Sequence, residues 1–239
     1  MRGIVVSDLH APYQDKETVA LVAKFADAFR PDEFVINGDA LNYSAYSRHG
    51  KRDNESANEQ INEDHISAIL MLDKLLPKNK CNKIWIDGNH ETFQDKYFTE
   101  NPDTYDDQSH RYNRLKLKER GFKQILKYKE VYKSGKLHFT HGWRAGVNAV
   151  RQHLIQDYHA NFVMGHIHKS DTATTGNIEG KVVQGYSIGC MCKLDWNYTM
   201  SKNSNQGFGI YYMLPNGNFS FYNIPIIGHS FIFEGQLWK

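Results

Sequence analysis

The stretch "IWIDGNHETF", residues 84–93, leads from an apolar run into a turn that presents Asn89 and His90 side by side. The apolar run has the length and composition of a strand that is buried in a sheet. Gly88 then permits a tight turn. Open α/β sheets bind their ligands at the carboxyl ends of strands, so polar residues placed there indicate a functional site.

Four other segments follow the same plan, in which an apolar run ends in Asp, Asn or His. With the first stretch, they contribute Asp8, His10, Asp39, Asn42, Asn89, His90, His141, His166 and His168. Residues two apart on an extended backbone share a face, as Asp8 and His10 do. Carboxylate, amide and imidazole donors together suit Mn, Fe, Zn or Ni. Five such ends in order along the chain predict a metal centre.

The remaining pattern predicts a layered domain. Strands are predicted over 3–8, 33–39, 82–89, 136–143 and 160–168, and helices over 16–30, 54–77 and 147–158. Segment 92–133 is polar, aromatic and helix-prone, which predicts a helical insert near the site. Later β-prone runs are divided by "LPNGN", residues 214–218, a hairpin turn. This order of elements indicates an α/β or α+β fold, and 239 residues suit a single domain, 1–239.

Composition limits the classes of function. The chain is 40% hydrophobic and 23% charged, as in ordinary globular proteins, and its net charge of +2 argues against a strong basic field for nucleic acid. Three cysteines suit a reducing compartment. The chain enters a strand at once and its apolar runs are short, so we expect a cytoplasmic protein with no membrane partner.

In order, the five clusters read Asp-x-His, Gly-Asp, Gly-Asn-His-Glu, His and Gly-His-x-His. This set resembles the five-part signature of the calcineurin-like metallophosphoesterase superfamily. The resemblance implies a four-layered α/β/β/α sandwich with two mixed β-sheets around a two-metal site. The C-terminal part resembles small phage and bacterial members, and a phage-encoded protein would act in the host cytoplasm.

The resemblance also implies a role for each residue. The implied ligands are Asp8, His10 and His168 for one divalent transition-metal ion, Asn89, His141 and His166 for the other, and Asp39 as the bridge. We expect manganese first, with iron, zinc or nickel as alternatives. A hydroxide that bridges the metals would attack phosphorus. His90, outside the ligand set, would stabilise a phosphoryl oxygen or assist the leaving group.

The sequence departs from the protein-serine/threonine phosphatase branch. That branch carries Gly-Asp-x-x-Asp-Arg-Gly, where this chain has Gly-Asp-Ala-Leu-Asn, and a single His where this chain has His166 and His168. The pattern is more similar to the nuclease, nucleotidase and phosphodiesterase branches. Asn42 stands at the position of the second Asp and can accept a hydrogen bond from His90 without adding charge.

Three functions remain open from the sequence. The first is hydrolysis of phosphodiester bonds in a nucleotide or a short or single-stranded nucleic acid. The second is a phosphomonoesterase acting on a small molecule or phosphoprotein. The third is a non-catalytic scaffold, against which the full ligand set argues.

Three other features have two interpretations each. Cys190 and Cys192 indicate a soft-metal site or alternation on a strand, and the lack of a second pair favours the strand. Segment 110–133 mixes basic residues with aromatic residues. This composition is typical of proteins that bind single-stranded nucleic acid and also of amphipathic helices with a basic face. The cluster Arg48, His49, Lys51 and Arg52 suits either a phosphate chain or a solvated loop.

Overall fold

A computed structural model describes residues 1–47, 54–195 and 203–239, with the side chains of 54–56 left out. The strands are β1 Arg2–Val6, β2 Glu33–Asn37, β3 Asn82–Ile86, β4 Phe122–Leu126, β5 Tyr132–Ser134, β6 Leu137–Phe139, β7 Phe162–Met164, β8 Asp171–Gly176, β9 Val182–Ser187, β10 Gln206–Met213, β11 Phe219–Ile226, β12 Phe231–Phe233 and β13 Gln236–Trp238. The α-helices are α1 Lys16–Phe29, α2 Asn54–Leu75, α3 Glu91–Glu100, α4 Arg111–Arg114 and α5 Ala149–Gln152, and α5 continues into a π-helical turn, His153–Tyr158. None of the helices in the described ranges is long and apolar enough to cross a bilayer.

The larger sheet has six strands in the order β11-β10-β1-β2-β3-β4. Strands β1 to β4 are parallel, so their carboxyl ends lie at one edge. Strand β10 runs antiparallel to β1 and pairs with β11 through a hairpin turn, in which Leu214 N–H donates to the Asn218 carbonyl at 2.8 Å. The turn predicted over 214–218 is therefore present.

The second sheet has five strands in the order β5-β6-β7-β9-β8. Strands β6, β7 and β9 are parallel, whereas β5 and β8 are antiparallel edge strands. Both sheets are therefore mixed, as the resemblance implied.

Alternation along the strands divides the core into three layers. Ile4 of β1 packs with the apolar face of α1 and α2, whereas Val5 faces the second sheet and packs with Phe139 and Val163. The opposite face of the second sheet packs against α5 and the π-helical turn, with Leu154 among the buried residues. The four-layered α/β/β/α sandwich is thus confirmed.

The helix α1 illustrates how sequence sets an element's ends. Asp15 caps it, because its carboxylate accepts a hydrogen bond from Thr18 N–H at 2.8 Å. At the other end, Arg30 adopts a left-handed conformation with φ 51°, directly before Pro31. The prediction of a helix over 16–30 was right to within a residue.

Segment 92–133 differs from the predicted helical insert. It begins with helices α3 and α4, but β4 then extends the larger sheet and β5 extends the second. The strand β4 was missed because it lies at an edge, where Lys123 and Gln124 are exposed and no clear apolar alternation results. This segment is therefore part of both sheets.

Candidate metal centre

Five loops, which follow β1, β2, β3, β6 and β7, meet at one edge of the sandwich. Main-chain hydrogen bonds join them: Asp8 N–H donates to the Gly38 carbonyl at 3.1 Å, and Gly165 N–H to the His141 carbonyl at 3.2 Å. All seven predicted metal ligands lie on these loops.

The first cluster contains Asp8, His10 and His168, whose donor atoms lie within 4.8 Å of one another. His168 Nε2 is 3.2 Å from Asp8 Oδ1 and 3.0 Å from His10 Nε2. All three residues are buried. They are the residues that the resemblance assigned to one metal.

The second cluster contains Asp39, His141 and His166, again within 4.8 Å. His141 Nε2 lies 3.1 Å from Asp39 Oδ2. Asn89 joins this cluster because its Oδ1 is 2.8 Å from His166 Nδ1. The set assigned to the other metal is therefore also brought together.

Asp39 lies between the two clusters. Its Oδ2 is 3.1 Å from His141 Nε2 and 3.8 Å from His10 Nε2. Its Oδ1 accepts a hydrogen bond from the main-chain N–H of His90 at 3.0 Å, which fixes the orientation of the carboxylate. This is the position that a bridging ligand requires.

The backbone of the site is strained. Five of the seven predicted ligands have positive φ: Asp8, His10, Asp39, His166 and His168. Such values are uncommon outside glycine and cost about 1–3 kcal/mol each, and they cluster at functional sites. At Gly88 a side chain would collide with the Asp39 carboxylate, which explains the glycine before Asn89.

Glu91 holds two of the loops together, a role that the sequence did not indicate. Its carboxylate accepts hydrogen bonds from Gly88 N–H at 2.7 Å and from the N–H groups of Asp39 and Leu41, each at 3.0 Å. Burial, followed by the charges of Asp39 and Asp87, raises the pKa of Glu91 to about 8. The only signal in sequence was its place as the last residue of Gly-Asn-His-Glu.

His90 lies beside the first cluster, with its ring centroid 4.6 Å from that of His10. Its Nδ1 is 2.5 Å from the main-chain carbonyl of Asn42. The expected hydrogen bond between these residues is present, but the carbonyl accepts it. The side-chain amide of Asn42 is buried and makes no hydrogen bond among the described residues.

The acid–base properties of the clusters follow from burial and mutual charge. Burial opposes ionisation of Asp8, but His168 and His141 outweigh it and lower the pKa of Asp8 to about 2. Burial likewise lowers the pKa values of His141 and His168, but the carboxylates of Asp39 and Asp8 outweigh it and raise them to about 10 and about 9. For His166, burial and His141 together lower the pKa to about 4.

These donors fit divalent metal ions. In the described part of the chain, the ion pairs recorded for Asp8 and Asp39 involve histidines and no lysine or arginine. Two buried carboxylates among imidazoles need a cation, and oxygen with imidazole nitrogen suits divalent transition metals. The two clusters could therefore hold two ions.

A buried ion-pair network supports β3, on which Asn89 and His90 depend. Arg111 is 1% exposed, and its Nη2 lies 2.6 Å from Asp87 Oδ2 while its Nη1 lies 2.7 Å from Asp95 Oδ1. Sequence analysis missed this residue, because an arginine in a polar, basic segment is usually exposed.

The aromatic residues that follow Asp39 in the chain are buried. Tyr43 is fully buried, and Tyr46 packs in the core against Tyr97. Their large apolar rings are more stable inside the protein. The basic cluster Arg48, His49, Lys51 and Arg52 lies outside the described residues.

The chain is similar in sequence to known proteins. The model of the family "Calcineurin-like phosphoesterase" matches residues 1–172. The Gene 54 protein of Mycobacterium phage D29 is 25% identical over 256 residues, which span 100% of this chain and 98% of the phage protein.

The chain is also similar to several solved structures. Vps29 of Entamoeba histolytica complexed with Zn²⁺ is 12% identical, with a TM-score of 0.48, over 99% of this chain and 96% of that one. The phosphoesterase YfcE from E. coli is 13% identical, with a TM-score of 0.43, over 93% and 99%. A dimetal phosphatase from Danio rerio is 9% identical, with a TM-score of 0.47, over 90% and 93%.

The family model covers well over half of the chain and spans all five loops of the metal centre. The chain therefore belongs to the calcineurin-like phosphoesterase family and is a metal-dependent phosphoesterase.

Proposed function

We propose that this site hydrolyses phosphodiester bonds in nucleotides or in short or single-stranded nucleic acid. The observation that carries the proposal is a cleft of about 360 Å³ that begins beside the metal-centre residue Asn89. Its volume lies in the range of pockets for small organic ligands. A diester has a second substituent to place in such a cleft, whereas a simple monoester does not.

The metal centre supplies the hydrolytic chemistry. Two bound divalent ions would acidify water and neutralise charge on the phosphoryl group. Asp8, His10 and His168 would hold one ion, and Asn89, His141 and His166 the other, with Asp39 between them. A second pocket of about 160 Å³, lined by Asn89, His90 and His166 among others, would receive the phosphate.

His90 would move the proton to the leaving oxygen. The Asn42 carbonyl holds Nδ1 at 2.5 Å, so Nδ1 carries a hydrogen and proton exchange falls to Nε2. A donor atom of His90 lies within 4.8 Å of those of His10 and Asp39, so the ring adjoins both clusters. As a cation, His90 would stabilise a phosphoryl oxygen and then protonate the departing alkoxide.

The cleft next to Asn89 combines an aromatic ring with cations. It is lined by Thr92, Asp95, Lys96, Thr99, Glu100, Lys127 and Tyr128. Thr92 Oγ1 donates to the Asn89 carbonyl at 2.7 Å, so one lining residue of the cleft contacts a predicted metal ligand. A base stacked on Tyr128 and a phosphate near Lys96 or Lys127 would fill it.

Tyr128 also faces the metal centre, with its ring centroid 6.3 Å from that of His141. Lys129 Nζ lies 5.7 Å from the Tyr128 ring centroid and 5.3 Å from that of Trp143. Aromatic rings next to basic side chains are typical of sites for unpaired nucleotides. Stacking of a nucleobase on such a ring is worth about 1–3 kcal/mol per nucleobase. The net charge of +2 fits a short ligand better than a long duplex.

A matched pair of substrates tests the proposal. Thymidine 5′-p-nitrophenyl phosphate and methyl p-nitrophenyl phosphate share a leaving group and differ in the base. With manganese at fixed salt, we expect kcat/KM for the thymidine ester to exceed that for the methyl ester. Tyr128→Ala should remove about tenfold of this preference, the loss of one stacking contact, whereas Tyr128→Phe should keep it.

The competing function is hydrolysis of monoesters. If p-nitrophenyl phosphate is cleaved about tenfold faster than either diester in kcat/KM, a difference of about 1.4 kcal/mol, the monoesterase replaces the diesterase. Equal rates for the two diesters would separately contradict the role of Tyr128.

A further inference from the structure

A third group of donors lies beside His168. The thiols of Cys190 and Cys192 lie within 4.8 Å of each other and of a donor atom of His168, and all three residues are buried. Sequence analysis favoured plain strand alternation because no second cysteine pair follows. The missing donor is the histidine, which the fold supplies from the loop after β7.

The chain bends at Met191, and the thiols on either side of it lie beside the histidine. Met191 itself is buried in the core beneath α1 and α2. Each cysteine forms an isolated β-bridge, Cys190 with Gln206 and Cys192 with Gln14, so their backbone positions are fixed.

Main-chain hydrogen bonds fix the positions of the three donor residues relative to one another. Met191 N–H donates to the Asp8 carbonyl at 3.1 Å, and Cys190 N–H to the Asn205 carbonyl at 3.0 Å. Asn205 N–H in turn donates to the His168 carbonyl at 2.9 Å. The cysteine pair, His168 and the first metal cluster are thus connected without a flexible segment, and the site is preorganised.

The thiols make only weak contacts within the described residues, one of which is a hydrogen bond between the two sulfurs. Cys190 Sγ is 3.6 Å from the Asn205 carbonyl and 3.9 Å from that of Cys192, both contacts that a thiol makes weakly. Two sulfurs and one imidazole form a softer donor set than the oxygen-rich set around Asp39. Such a set favours thiophilic cations such as zinc or cadmium over manganese.

We propose that His168, Cys190 and Cys192 form a binding site for one thiophilic divalent cation, and that this site shares His168 with the first cluster. Binding forms two metal–sulfur bonds and one metal–nitrogen bond, and the two thiol protons and one proton of His168 leave to solvent. His168 belongs to both this site and the first cluster. A cation held by the thiols therefore withdraws His168 and inhibits metal loading of the first cluster.

The first test is a cadmium titration of metal-free protein kept anaerobic with a non-thiol reductant. Sulfur-to-cadmium charge transfer absorbs in the ultraviolet, and we expect this band to saturate at one ion per chain. Cys190→Ala and Cys192→Ala should each weaken binding by at least about tenfold, since even the loss of an outer-shell partner of a metal ligand costs that much. Cys81→Ala, which alters the half-buried cysteine outside the cluster, should keep the band.

Two results would overturn the proposal. One is the absence of a band in wild-type protein whose three thiols titrate as reduced. The other is a band of equal affinity in Cys192→Ala. The wild-type titration stands even if a variant folds poorly.

The second test measures competition. Manganese is loaded first, and its release on addition of cadmium is followed by electron paramagnetic resonance. We expect the wild type to release manganese at about tenfold lower cadmium than the Cys190→Ala/Cys192→Ala double variant. Release at the same concentration in both proteins would show that the thiol site does not compete. If manganese does not bind to the wild-type protein, the proposed phosphoesterase function is contradicted. The cadmium absorption band still tests the thiol site independently.

Discussion

At the scale of single residues, the metal centre is a balance between strain and charge. Asp8, Asp39 and His168 are held with positive φ, and both carboxylates are buried beside imidazoles. A buried carboxylate without a partner is costly, so in the metal-free protein histidines supply the countercharge. Metal ions would replace protons in this role.

This exchange predicts proton release on metal binding. His141 and His168 have pKa values raised to about 10 and about 9, chiefly because Asp39 and Asp8 outweigh the effect of burial. At neutral pH both therefore hold protons in the metal-free protein, and both must lose them to bind metal. We expect apparent metal affinity to rise with pH until the pH exceeds about 10, above which both histidines are neutral.

Calorimetry in two buffers of different ionisation enthalpy measures this release directly. A binding enthalpy that is independent of the buffer at neutral pH would contradict the prediction. At a pH above the raised values, the dependence on buffer should disappear.

A second prediction at this scale concerns His90. His90→Ala should lower kcat by about 10²–10⁴, the usual contribution of a general acid, and leave the metal content unchanged. The defect should be smaller for p-nitrophenyl esters than for alkyl esters, because p-nitrophenolate needs little protonation. Metal analysis beside steady-state kinetics checks both points, and a matching loss of metal would make His90 a ligand.

At the scale of elements, the loops of the site depend on interactions remote from it in sequence. Arg111, from helix α4, pairs with Asp87 at the end of β3, and both side chains are 1% exposed. Tyr112 and Trp85 also donate to the Asp87 carboxylate. Asn89 follows two residues later, so this network fixes the turn that presents it.

Removal of the arginine should therefore be costly. Arg111→Met leaves the buried Asp87 carboxylate without its cation, and we expect a loss of about 3–5 kcal/mol in the free energy of unfolding. Lys78→Met is the control, because Lys78, which pairs with Asp27 at 2.7 Å, is 87% exposed. Exposed pairs contribute about 0–1 kcal/mol, so the control should change little. Urea denaturation measures both, and similar losses would refute the role of Arg111.

The elements that the sequence predicts correctly are those with a local pattern. Buried parallel strands such as β2 have continuous apolar runs, and their polar ends were read as ligand positions. Edge strands are not predicted: in β8 every second residue is exposed and none of the six is larger than threonine or aspartate. Arg111 was missed for a related reason, since only the tertiary fold shows that its charge is buried.

Site prediction was limited in the same way. The positions of Asp8, Asp39 and His141 could be read from ordered motifs, which lie at strand ends. The partner of His90 could not, because the Asn42 main-chain carbonyl rather than its side chain accepts the bond. No residue identity encodes that contact. The contributions of Tyr128 and of the cysteine pair likewise required the fold.

At the scale of the whole molecule, the metal centre explains why two sheets are needed. Asp8, Asp39 and Asn89 follow strands of the larger sheet, whereas His141 and His168 follow strands of the second. Val5 and Phe139 belong to the hydrophobic core between the sheets. The packing of this core sets the distance between the two groups of predicted ligands. Neither sheet alone carries all seven predicted ligands.

Chelation should therefore act on the whole site. Excess chelator should abolish activity, and manganese should restore it. Because donors from both sheets would share the ions, we also expect the chelated protein to unfold at a lower temperature than the loaded protein. Thermal unfolding with and without manganese checks this, and full activity in excess chelator would exclude a metal-dependent reaction.

The most direct test of the central claim is metal stoichiometry in active protein. The protein is reconstituted with manganese, freed of excess ion and assayed with a p-nitrophenyl diester, and metal per chain is measured by mass spectrometry. Two ions per chain are expected in the wild type, with activity proportional to occupancy. In Asp39→Asn, which removes the charge shared by both clusters, metal content and activity should fall together. Full activity with one ion per chain, or unchanged content and activity in Asp39→Asn, would contradict the two-metal account.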